Sequence, residues 1–319
     1  MKGRRHQQKW ILAVAVIVFA GGSALQAKPI IRPGDRVVFL GDSITAAGHF
    51  VSYVEAHLRL QVEGDPVEVI NLGLPSEGCT GLSEPDHPFP RPNVHERLAR
   101  ALEKTRPDVV VACYGMNDGI YYPFSQERFE KYQQGMQQLA RAVKKSGARL
   151  ILLTPPAFDP LPLKLAGKLL PAGAEKYAWF AIYEDYDDVI KKYADWLASQ
   201  RRLADLVLDV YTPVVNYTVD KRKENPEFVM SPDGVHVNVE GHQVIARGVV
   251  EGLGLEWDPM LDGELFGSLE ARRTVMHASW LSHVGHKRPG MKPGLPVEEA
   301  RRSVAELERT ITGLVDKSR

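Results

Sequence analysis

Hydrophobic positions fall into short unbroken runs, each followed by a longer segment in which apolar residues return every three or four positions. The runs lie at 36–40, 66–72 (PVEVINL within it), 108–114 (DVVVACY), 148–154 and 206–210. Runs that are apolar throughout, rather than alternating, predict strands covered on both faces of a parallel sheet. The segments 49–62, 93–105, 126–146, 175–204 and 239–252 carry helical spacing. Asn93 stands where an N-cap belongs, with Glu96 three positions on to complete a capping box. Gly147 stands where a helix commonly ends in a left-handed residue. Strand and helix in regular alternation predict a three-layer α/β/α domain.

The two ends of the chain depart from this pattern. Residues 1–27 begin with the basic MKGRRHQQK, continue through the apolar run WILAVAVIVFA at 10–20, and end in small and polar residues at Leu25-Gln26-Ala27. That is the tripartite order of a signal peptide, and the run is shorter than the ~18 residues a spanning helix needs. Cleavage after Ala27 is expected, with an uncleaved anchor as the alternative. The mature protein is then secreted or periplasmic, with no membrane span. The alternating strand–helix domain occupies 28–255, and 256–319 forms a C-terminal extension. A helix is expected over 297–315, where Val297, Ala300, Val304, Leu307, Ile311 and Leu314 make an apolar stripe. The preceding stretch HASWLSHVGHKRPGMKPGLP is expected as a loop. It is either a connector or a cover for the rim of a functional cleft, offering Trp280, His283, His286, Lys287 and Arg288.

Among 319 residues, 40 basic side chains balance 40 acidic ones, so no global field points to a nucleic-acid or anionic-membrane partner. The two cysteines, Cys79 and Cys113, read as free thiols, although an oxidising compartment permits a bridge. No Cys or Cys/His spacing suggests a zinc site, and neither a metal nor another cofactor is expected.

In a parallel sheet, ligands bind beyond the carboxyl ends of the strands. Four blocks fall there: Gly41-Asp42-Ser43, Asn71-Leu72-Gly73, Gly115-Met116-Asn117-Asp118 and, near the last helix of the domain, Asp233-Gly234-Val235-His236. Singly, each is an ordinary turn or cap. Together they supply every part of an acyl-transfer site. Ser43 is the nucleophile, His236 the base and Asp233 the partner that orients the imidazole. The N–H groups of Ser43 and Gly73 and the Asn117 amide are the candidate oxyanion donors. Gly78 is a rival to Gly73, which is preferred because it directly follows the strand end. Asp42 and Asp118 are expected to bond turn amides.

These blocks, GDS at 41–43, Gly73, GMND at 115–118 and DGVH at 233–236, resemble those of the SGNH (GDSL-type) hydrolase superfamily in order and spacing. The resemblance covers residues 35–255 and departs from the family at GDSI in place of GDSL. It implies a flavodoxin-like fold, a metal-free serine esterase, and the roles just given for Ser43, Gly73, Asn117, Asp233 and His236. The sequence is also similar to secreted SGNH proteins of planctomycete-like bacteria. Within the superfamily the loops SEGCTGLSEPDHPFPRP and DGIYYPF, polar and stiffened by proline, favour O-acetyl groups on carbohydrate as substrate, either on a small molecule or on a polysaccharide. Lysophospholipase, thioesterase and arylesterase activities are the alternatives. Tyr114, Tyr121, Tyr122 and Phe124 either stack on sugar rings or pack beneath the loop. Two other classes compete: a metal-dependent phosphoesterase recruiting Asp42, Asp118 and Asp233, and a carbohydrate-binding module without catalysis.

Overall fold

The computed structural model describes residues 29–319, so the expected signal peptide and its cleavage site lie outside the described residues. Along the chain the elements are β1 Arg36–Gly41, α1 Ser43–Ala47, α2 His49–Gln61, β2 Glu68–Asn71, α3 Val94–Thr105, β3 Val109–Cys113, α4 Gln126–Ser146 and β4 Arg149–Leu153. There follow α5 Leu161–Leu165, α6 Tyr186–Ser199, β5 Leu206–Leu208, α7 Tyr211–Glu224 and α8 Val239–Gly252. The extension adds α9 Gly263–Val284, α10 Val297–Ser303 and α11 Ala305–Ser318.

The five strands form one parallel sheet in the order β2-β1-β3-β4-β5. Val38 pairs with Ile70 on one side and Val110 on the other, and Val111 pairs with Ile151. Every residue of β3 is buried, as its unbroken apolar run requires. This is the flavodoxin-like order, in which the chain leaves β1 in opposite directions and opens a crevice at the carboxyl ends of β1 and β3. Ser43 follows β1 and the 115–118 block follows β3, so the topology alone brings them together.

Four segments differ from the sequence pattern. The helix expected over 175–204 is α6 alone, and 175–185 is a loop pinned by Leu170–Tyr183 pairing and by the Tyr177 hydroxyl, which donates to Pro171 O. Helix α7 was not expected, because its TPVVNYTV stretch is rich in β-branched residues that locally favour a strand. Helix α9 runs to Val284 and so takes the first part of the 277–296 stretch read as a loop, and the single helix expected over 297–315 is interrupted at Val304.

The extension docks on the domain. Helix α9 packs against α2, α3 and β2, and thereby covers the sheet's β2 edge, which would otherwise invite pairing with another chain. Leu265, Leu269, Ile311 and Val315 bury together with Ala56 of α2. Ion pairs add to this seam: Arg272 donates to Glu55 Oε1 at 2.6 Å in a buried pair, and Arg59 to the half-exposed Glu308 Oε1 at 2.6 Å. Both cysteines are buried and free. Among the described residues no helix is long and apolar enough to cross a membrane.

Candidate active site

Strand β1 ends at Gly41, and Asp42 caps α1 by accepting the Ile44 N–H at 2.9 Å. Ser43 is thus the first residue of a short helix at the lip of the sheet. Burial pushes the Asp42 carboxyl up to about 7, against the lowering effect of that backbone bond. On the other wall, the Asp233–His236 turn folds on itself. Asp233 Oδ1 accepts the N–H groups of Val235 and His236, while Oδ2 meets His236 Nδ1 at 2.6 Å. Gly234 makes this turn possible at φ 82, where a Cβ would also strike Phe158. His236 Nε2 then reaches Ser43 Oγ at 2.7 Å. The continuous Ser43–His236–Asp233 chain joins residues 193 positions apart.

The charges of this pair are tuned toward base chemistry. The hydrogen bond to Asp233 raises the His236 pKa above its ordinary value, outweighing partial burial. Partial burial would raise Asp233, but the ring and main-chain N–H groups of His236 hold it down at about 2. Asp233 therefore stays ionised opposite the imidazole across the working range.

Asn117 faces Ser43 from the end of β3, buried and fixed at three points. Its Oδ1 accepts from Arg91 Nη1 and from the Tyr121 hydroxyl, each at 2.9 Å. Its Nδ2 donates to Glu77 O at 3.0 Å. A guanidinium can only donate, so the atom beside Arg91 must be the amide oxygen, and the orientation of Asn117 is set. One Nδ2 hydrogen remains for the cleft. The turn carrying it is strained, with Ile120 at φ 48 and Tyr121 at φ 63. A β-branched residue in that region is uncommon and belongs to sites where the backbone is held on purpose.

The expected donor Gly73 has a different task. Its N–H donates to Asn71 Oδ1 at 2.8 Å, and its carbonyl oxygen meets His277 Nε2 of α9 at 2.8 Å. It does not line the cleft. Glycine is required there because a Cβ would lie 2.3 Å from Ala46 N, so the residue permits β2 to run close beneath α1. Gly78 likewise donates to Pro92 O. Pro75 and Ser76 of this loop line the cleft; Ser76 is held at φ 68, and its N–H has no hydrogen-bond partner among the described residues. Its sequence signal was hidden, because the left-handed conformation usually marks itself with glycine.

Asp42 and Asp118 are buried and bond turn amides: Asp118 Oδ1 accepts from Cys79 N at 2.7 Å and Thr80 N at 3.0 Å. The loop between is anchored by buried ion pairs. Glu77 binds Arg97 through both oxygens at 2.6 Å, and Glu84 binds Arg91 through both at 2.6 Å. Glu84 is thus occupied by a guanidinium.

A cleft of about 470 Å³ opens over Ser43, Asn117, Asp233 and His236. Of the aromatic residues expected to stack on a ligand or pack beneath the loop, Tyr114 is buried and donates to Glu77 Oε2, Tyr121 lines the cleft but is buried against Asn117, and Tyr122 and Phe124 lie away from the cleft. Trp179 and Phe180, from the loop read as helix, line it as exposed rings, 52% and 56% exposed. The extension contributes Arg288, whereas Trp280 packs into the core.

Known proteins agree with this architecture. An acetylxylan esterase of Geobacillus stearothermophilus is 21% identical over 253 residues, 71% of this chain and 97% of that protein. The solved structure of a catalytic mutant of an acetylxylan esterase from that organism superposes with a TM-score of 0.52 at 20% identity, over 71% of this chain and 97% of the other. A gut microbial diltiazem-metabolizing enzyme gives a TM-score of 0.53 at 19% identity over 70% of this chain, which spans about half of that enzyme (48%). Residues 39–244 match the GDSL-like Lipase/Acylhydrolase family, and the segment includes Ser43, Asn117, Asp233 and His236. The chain belongs to the GDSL-like lipase/acylhydrolase family, within the SGNH superfamily of ester hydrolases.

Proposed function

We propose that the protein is an exported serine esterase that removes O-acetyl groups from carbohydrate through an acetyl-enzyme. The observation that carries this reading is the Ser43–His236–Asp233 chain, at 2.7 and 2.6 Å, opening into a cleft rimmed by exposed Trp179 and Phe180. Large aromatic faces left in water beside a nucleophile suit the apolar faces of sugar rings. The likeness to acetylxylan esterases points the same way.

Ser43 Oγ attacks the acetyl carbonyl carbon as His236 Nε2 takes its proton, and ionised Asp233 stabilises the imidazolium. The oxyanion is received by the N–H groups of Ser43 and Ser76 and by the free Nδ2 hydrogen of Asn117. The tetrahedral adduct collapses as the sugar oxygen departs and takes the proton from His236. Water, activated by the same imidazole, then releases acetate and restores Ser43. Residues 1–27 direct export in this reading.

A panel of acetylated xylan or xylo-oligosaccharide, short p-nitrophenyl esters and lysophospholipid tests it. Turnover of the acetylated sugars, and single labelling of Ser43 by a serine-directed phosphonate, are expected. Preference for lysophospholipid, or labelling at another residue, would overturn the assignment.

A further inference from the structure

The cleft holds more positive charge than hydrolysis of a neutral acetyl sugar requires. Three cationic side chains line it: Arg91, Lys168 and Arg288. Arg91 is buried and fully paired with Glu84. Asp233, the one carboxylate in the lining, is bound to His236. Neither Lys168 nor Arg288 forms an ion pair with a described residue.

Arg288 is also preorganised. Its Nε donates to Pro75 O at 2.9 Å and its Nη1 to Pro289 O at 3.0 Å, while the guanidinium stacks over the Phe89 ring at 5.2 Å. Two carbonyls and an aromatic face thus hold the plane still, with Nη2 making no hydrogen bond to the described residues. Pro75 precedes Ser76, so this cation is fixed to the backbone beside the catalytic centre. A neutral sugar covering it would offer only uncharged hydroxyl acceptors in place of water and no charge to offset the loss of hydration. An anion on the ligand would replace that water with a charge-assisted hydrogen bond from an already ordered donor.

From this juxtaposition we infer that the cleft selects an acetylated glycan carrying an anionic substituent, a uronic-acid carboxylate or a sulfate half-ester, which Arg288 of the C-terminal extension binds with help from Lys168. The inference rests on the esterase reading for turnover, but the binding it predicts is measurable without chemistry.

Three matched acetylated oligosaccharides, neutral, uronate-bearing and sulfated, serve as probes. Calorimetry on the full chain carrying Ser43→Ala should show an anionic ligand bound about tenfold more tightly than the neutral one, as expected for one charge-assisted hydrogen bond. The preference should shrink with added salt and fall to about unity when Arg288→Gln and Lys168→Gln are added. Lys168→Gln alone, on an exposed side chain, should lower it part way and serves if Arg288→Gln reduces Tm. Which anionic arm binds best names the source of the charge. Equal binding of all three, or a preference that survives both substitutions, overturns the proposal. Absence of turnover by the Ser43 enzyme on all three and on p-nitrophenyl acetate would instead overturn the esterase reading, leaving the binding result to judge this one.

Discussion

The two walls of the cleft are built by opposite means. On the Asn117 side, the groups are buried: Asp42, Glu77, Asp118 and Asn117 are each no more than 4% exposed, and hydrogen bonds fix every one. On the other side, the His236 and Asp233 side chains are 49% and 57% exposed, on a turn held mainly by its own Asp233 contacts. The difference follows from what each wall does in the proposed mechanism. A donor for a developing oxyanion gains from a low dielectric and from having no reorganisation left to make. A proton carrier needs a pKa near working pH, and deep burial would disfavour its charged form.

That contrast predicts a graded series of losses. Ser43→Ala removes the atom both walls serve and should reduce kcat by ~10⁶ with the fold intact, as loss of a triad serine does. Retained hydrolysis in the purified variant would place the nucleophile elsewhere.

Asp233→Asn tests the exposed wall. It should lower kcat by ~10⁴, because the imidazole loses its oriented tautomer and its counter-charge. The pH profile gives a second reading. His236 must be neutral to act as base, and Asp233 raises its pKa, so wild-type kcat/KM should climb with pH through a midpoint above the ordinary imidazole value of ~6.5. In the variant that acid limb should shift to lower pH. An unmoved limb would mean another group titrates.

The buried wall should respond more mildly to loss of one donor. Asn117→Ala should reduce kcat by ~10²–10³ with little change in KM, since the amide acts on charge present only in the transition state. A change mainly in KM would make Asn117 a ground-state binding residue.

Ser76 gives the smallest effect. At φ 68 a side chain is strained, and Ser76→Gly should stabilise the protein by up to ~1 kcal/mol, read as a rise in Tm. A lower Tm would show that the Ser76 side chain contributes more than its backbone strain costs.

Much of this site was legible along the chain. Ser43, Asn117, Asp233 and His236 sit in local blocks whose positions relative to strand ends are fixed by strand and turn chemistry, so their convergence followed once the sheet was expected to be parallel. Gly73 misled because the glycine was required by packing against Ala46, a reason that looks identical in sequence to close approach of a ligand. Ser76 escaped notice because it adopts a glycine's conformation without being one. Trp179 and Phe180 lie in AWFAIY, an apolar run that reads as buried, and their exposure depends on a loop held by Tyr177 and the Leu170–Tyr183 pairing.

By itself the sequence determined the parallel α/β domain and which residues meet in the Ser43–His236–Asp233 hydrogen-bonded chain, because hydrophobic period and turn residues act over a few positions. Only the tertiary structure decided what surrounds that chain. The orientation of the Asn117 amide is imposed by Arg91, 26 residues away, and the place of Arg288 by a carbonyl 213 residues away. Such contacts are set by how helices and loops pack on the finished sheet, and no local propensity encodes them.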